Sequence, residues 1–216
     1  MPSQFAPGQP ADPGQIRLFR WADDLPAVLW DDVAARPADQ AAAAVGARQV
    51  EHGFLAPVVG LNYLVDMDIR RVLCADQPDE RPDYQTGLVL LTALAKALDA
   101  PQAGEMATFG EMPGGDLFFT GPHALRTGPL LKRYGKDPQA LVQRALAMGG
   151  HEIEGGDAGV MLPGLPKVDL YVLLWAGDEE FPARVVMGLD RRAHMHLALD
   201  GLWALANILV TRLAKD

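Results

Sequence analysis

The sequence predicts an α+β fold, a single domain with a mainly antiparallel sheet and helices packed mostly on one face. Three observations carry that expectation. Residues 168–190, VDLYVLLWAGDEEFPARVVMGLD, read as two apolar strands joined by an acidic turn. Residues 48–73 read as a second hairpin-like region rich in Tyr63, Val65, Ile69 and Val72. Capped helical periodicity stands out at 138–148 and 201–214.

In the central hairpin, Val168, Leu170, Val172 and Leu174 alternate with Asp169, Tyr171, Leu173 and Trp175. Period-two spacing of β-branched and aromatic residues is a strand signal. The second face begins polar and ends apolar, so the strand is expected to run deeper as it nears Trp175. Gly177 and Asp178 suit a turn, Pro182 belongs at a strand start or edge, and Val185 to Leu189 form the return strand.

Residues 1–15 hold Pro2, Pro7, Pro10 and Pro13 with few large apolar side chains, the composition of a flexible tail. The domain is then 16–216. Asp24 can cap a helix to about Ala35, followed by a short alanine-rich helix from Asp39 to Val45 and a stop at Gly46. Arg48–Val59 and Leu61–Leu73 make the second hairpin, with turns near Gly60–Asn62 and at Met67–Asp68. Asp83 or Tyr84 opens a helix to about Leu98, most of it buried.

Pro113-Gly114-Gly115, surrounded by Phe109, Phe118 and Phe119, is a turn signal. A glycine loop can cradle phosphate when it opens a helix, but neither of the glycine-rich phosphate motifs is present. Thr127 with Pro129, and Asp137 with Pro138, open two further helices, and Leu141, Val142, Ala145 and Leu146 give the second its buried face. Short strands are expected at 151–154 and 158–162. Pro163, Gly164 and Pro166 then break the chain before the central hairpin. Asp200 caps the last helix, whose stripe is Leu202, Leu205, Ala206, Leu209, Val210 and Leu213.

The 216 residues are 49% hydrophobic and 22% charged, ordinary values for a globular chain, and carry a net charge of −9. That balance argues against nucleic acid or an anionic membrane as partner, because both need a basic footprint. Cys74 is the only cysteine, so one chain can form neither an internal disulfide nor a four-cysteine cluster. A free thiol and an N-terminus without a signal-like apolar run place the protein in the cytoplasm. Ser3 is the only serine and lies in the tail, which removes serine-triad chemistry.

Two constellations could carry function. Asp178, Glu179 and Glu180 lie between Trp175 and Phe181; such a run can hold a cation or serve as acid and base, or it can be a solvated tip whose charge blocks edge pairing. His194 and His196 form an HxH pair. On a strand both would point to one side and could share a metal or haem, with Asp190, Asp200 or His151 as a third ligand; the same residues also fit an ordinary loop before a helix.

The run FGEMPGGDLFF, Arg126 with Pro129-Leu130, Tyr134-Gly135, Gly149-Gly150, Gly156-Asp157, LPKVDLYVLLWAGDEEFPA and Leu189-Asp190 resemble a prokaryotic family known as domain of unknown function 3786. The resemblance spans roughly Val50 to Leu213, and WAGDEEFP is its most specific part. It implies no activity. It does imply that many relatives carry an N-terminal iron–sulfur segment with four cysteines, similar to one in the corrinoid iron–sulfur protein of one-carbon metabolism. No iron–sulfur cluster is expected from this chain alone.

The first functional expectation is therefore a ligand-binding or accessory protein associated with corrinoid, tetrapyrrole or one-carbon metabolism. Its ligand or protein partner would meet Phe118, Phe119, Arg126, Trp175, Asp178, Glu179 and Glu180 on one surface. The alternatives are a carboxylate-dependent enzyme, with the acidic turn as base and Arg126 orienting a small anionic substrate, and a metal or haem protein using His194 and His196.

Overall fold

The structure, a computed structural model, describes residues 19–215. The expected tail at 1–15 lies outside the described residues. Among the described residues, two antiparallel sheets and seven α-helices make an α+β fold.

The first sheet is a four-stranded meander of β1 (Arg48–Val50), β2 (Gly53–Val58), β3 (Leu61–Asp66) and β4 (Arg71–Cys74). The expected region is thus one strand pair longer, because a further turn at Glu51–His52 folds β1 back on β2. The second sheet has the order β5-β9-β8-β7-β6. Its strands are β5 (Met106–Thr108), β6 (His151–Ile153), β7 (Ala158–Leu165), β8 (Val168–Trp175) and β9 (Arg184–Asp190). The expectation of one sheet built from both hairpins is corrected here: each hairpin seeds its own sheet.

The central hairpin has the expected register, with Leu170 opposite Leu189 and Trp175 opposite Arg184. Val168, Leu170, Val172 and Leu174 are fully buried. The other face does not deepen toward Trp175. Tyr171 is its buried residue, while Leu173 and Trp175 are half-buried. β7 continues through Pro163 and Gly164 by an irregularity in its pairing with β8, so the break falls later, at Pro166–Lys167.

The helices are α1 (Ala27–Ala34), α2 (Ala38–Val45), α3 (Tyr84–Lys96), α4 (Gly115–Phe118), α5 (Gly128–Tyr134), α6 (Pro138–Ala147) and α7 (Leu199–Ala214). Asp83 caps α3 by accepting from Thr86 N–H at 2.7 Å, and Asp137 caps α6 by accepting from Ala140 N–H at 3.2 Å. Asp24 does not cap α1. Its carboxylate accepts from Trp21 N–H at 2.9 Å and belongs to the preceding 3-10 turn at Ala22–Asp24. Ala198, not Asp200, stands before α7, and Asp200 bonds Gly201 N–H within the first turn. Leu146 lies on the exposed side of α6.

α3 and α7 pack on each other, α1 and α2 pack on α3, and α6 lies on β7. All six residues of the expected α7 stripe are buried. The two sheets meet where β2 runs against β7, and Val59 N–H donates to Gly164 O at 2.9 Å. One buried apolar cluster draws on both sheets and all the longer helices. Cys74 is packed inside it.

Candidate functional site

The tip of the central hairpin is held by its own backbone. Asp178 accepts from Glu180 N–H at 2.8 Å and Phe181 N–H at 2.7 Å. These two bonds hold the exposed carboxyl below the usual carboxylate range. Glu179 and Glu180 are exposed beside it. Asp157, from the β6–β7 turn, accepts from Ala176 N–H at 2.8 Å and fastens the other side of the tip.

Between these fastenings is a hollow of about 550 Å³ lined by Trp175, Asp178, Phe181, Pro182 and Arg184 among others. Trp175 is half-buried, and the Arg184 guanidinium lies over its ring, 4.2 Å from the centroid. Phe181 is 67% exposed. The hollow can therefore offer a cation stacked on an indole and the exposed ring of Phe181 to a flat ligand. Arg184 was no sequence candidate. Its signal was available only through the register, which sets it directly opposite Trp175.

The phenylalanine segment forms a separate cluster. Phe119 meets Phe109 edge-on at 5.0 Å and Phe118 at 5.1 Å, and Phe118 stacks on His123 at 4.5 Å. His123 meets Trp203 of α7 edge-on at 5.6 Å, and Arg126 lies 5.8 Å from the centre of the same indole. The structure thus gathers Phe118, Phe119 and Arg126 against α7, while Trp175, Asp178, Glu179 and Glu180 gather at the hairpin tip. The hollow at the tip is lined by Trp175 and Asp178 and not by Phe118, Phe119 or Arg126. The reason lies in chain direction: the Pro113-Gly114-Gly115 turn folds α4 back on Phe109, whose carbonyl crowds Gly115, and that steers the aromatics toward α7.

The HxH pair lies in the turn before α7. Residues 193–195 form a 3-10 turn, not a strand, so the two imidazoles diverge. His194 is exposed, with Nδ1 3.2 Å from Arg191 O. His196 is buried. Asp190 is spoken for as well, accepting from Ala103, Gly104 and Arg192 N–H groups at 2.8–3.0 Å. Asp200 and His151 lie elsewhere, on α7 and β6. Among the described residues no group of three His, Cys, Asp or Glu side chains could hold a metal ion. No helix among them is long and apolar enough to cross a membrane.

Fold and site together define an α+β domain with a ring-lined hollow at a hairpin tip. The chain belongs to the family described as domain of unknown function (DUF3786), whose model matches residues 38–212. No curated protein and no solved structure matches it.

Proposed function

We propose that this protein is a cytoplasmic ligand-binding or accessory domain that holds a flat, anionic ring compound at the tip of its central hairpin. The observation that carries this is the Trp175–Arg184 stack at the wall of a hollow whose size falls in the range of small-molecule sites. A planar ligand would pack against the open side of this stack and place an acidic edge against the guanidinium. The resemblance of the chain to relatives with a corrinoid-type iron–sulfur segment makes corrinoids and tetrapyrroles the first compounds to try. The net charge of −9 speaks against nucleic acid as a partner, and the lone buried thiol suits a reducing compartment.

The carboxylate-enzyme reading draws less support. Asp178 is a weakened base already engaged by two N–H groups, and Arg126 stands at Trp203. Indole fluorescence titration with a corrinoid, a porphyrin, a folate and a nucleotide tests the proposal. At least one should bind, and Trp175→Ala or Arg184→Gln should weaken it about tenfold. Silence across the four compounds, or equal binding by both variants, would end it.

A further inference from the structure

A cluster of charge that the hairpin site does not use lies at the C-terminal end of α7. A cleft of about 320 Å³ there is lined by Arg144, Arg212 and Lys215, with Gln77 and Glu80 on its rim and Met148 on its wall. Three cations face one carboxylate, in a chain whose net charge is −9. The only ion pair among them is loose, Lys215 Nζ to Glu80 at 3.9 Å. Two helix C-termini, of α6 and α7, also point here, and each contributes about half a negative charge. Among the described residues the three side-chain cations outnumber the one lining carboxylate, and the helix ends offset part of that excess.

The two arginines are held in place rather than free on the surface. Arg212 donates to Val58 O, Val59 O and Tyr63 Oη, so its guanidinium is locked to the β2–β3 corner. Burial pushes the Tyr63 phenol up to about 12, so it stays neutral beside the guanidinium. Arg144 donates Nη2 to Arg212 O at 3.0 Å, and its buried Nε–H has no acceptor among the described residues. The corner itself is strained: Val59, a β-branched residue, sits at φ 45°. Such conformations persist where surrounding contacts fix them, and they concentrate at functional sites.

We propose that this cleft binds a small anion, a carboxylate or phosphate group, between Arg144 and Lys215, with Arg212 acting as a positioning residue. Anionic oxygens would pair with the Arg144 guanidinium and the Lys215 ammonium, and Met148 with Val59 would pack a short apolar stem.

Calorimetric titration in low-salt buffer with inorganic phosphate and with succinate tests it on the full chain. One anion per chain should bind. Lys215→Gln should weaken binding about threefold, since the pair is exposed, and Arg144→Lys about tenfold, since the planar fork is lost. Glu80→Gln should tighten it about threefold by removing the competing carboxylate. Preference for phosphate or for succinate identifies the ligand's acidic group. The proposal falls if neither anion binds stoichiometrically, or if Lys215→Gln and Glu80→Gln bind as the wild type does. Both of those side chains are well exposed, so their substitution tests the site even if Arg144→Lys disturbs the fold.

Discussion

His196 shows at a single residue how burial and chemistry interact. Both ring nitrogens are buried without a partner among the described residues. The crevice beside them, lined by Val45, Ala93, Lys167 and Val168 among others, is too tight for a water. Burial, and secondarily the Lys167 ammonium, lower the imidazole below its ordinary value of 6.5, against the opposing pull of Asp190 and Asp99. The unfolded chain therefore binds this proton first. Stability from the neutral ring is fully present above about 6.5 and is lost as pH falls through the lower folded value. His196→Leu should flatten that acid limb in urea denaturation between pH 5 and 7, and at pH 7 should cost nothing or stabilise by about 1 kcal/mol. Parallel wild-type and variant curves would show that the ring is not kept neutral. The sequence displayed two histidines one residue apart. It could not show that a 3-10 turn sends one into the core and leaves the other in solvent.

At the scale of elements, helix starts and helix ends behave differently. Asp83 and Asp137 reach N–H groups three residues on, so both starts were readable. The ends of α3 and α7 use no glycine. Arg36, from the α1–α2 connection, donates to Leu94 O at 3.0 Å and Ala97 O at 2.8 Å, some 58 and 61 residues away. Tyr134 donates to Leu213 O at 2.5 Å, Arg133 to Ala214 O at 3.0 Å and Arg144 to Arg212 O at 3.0 Å, closing the last turn of α7 from α5 and α6. These bonds satisfy carbonyls that a helix leaves open and place cations at the negative end of its dipole. Arg36→Met should destabilise the protein by about 2 kcal/mol in thermal denaturation and speed amide exchange at the end of α3. An unchanged melting point would mean that water replaces both bonds without loss.

For the whole molecule the deciding contact is the junction of the two sheets. A Cβ at Gly164 would come within 2.9 Å of Leu205 Cδ2, 3.0 Å of Leu170 Cδ1 and 3.1 Å of Val168 O. Gly164 O also takes the N–H of strained Val59. A side chain here would have to push back the Leu205 and Leu170 methyls and crowd Val168 O where β7 lies against α7. Gly164→Ala should cost about 1–3 kcal/mol through overpacking, read from chemical denaturation. A neutral result would show that the junction has slack. The sequence marked Pro163-Gly164 as a break because proline and glycine punctuate strands; in the fold the strand runs on, and the glycine is there for close approach.

The amino-acid pattern alone determined what depends on neighbours along the chain. It set the alternation that buries Val168, Leu170, Val172 and Leu174, the caps at Asp83 and Asp137, the stripe of α7 and the family. Tertiary structure decided what depends on partners far apart: that each hairpin makes its own sheet, that Arg126 meets Trp203, and that Arg144, Arg212 and Lys215 share a cleft. Periodicity reports which face of an element is apolar. It carries no record of which other element that face, or a long charged side chain beside it, will meet.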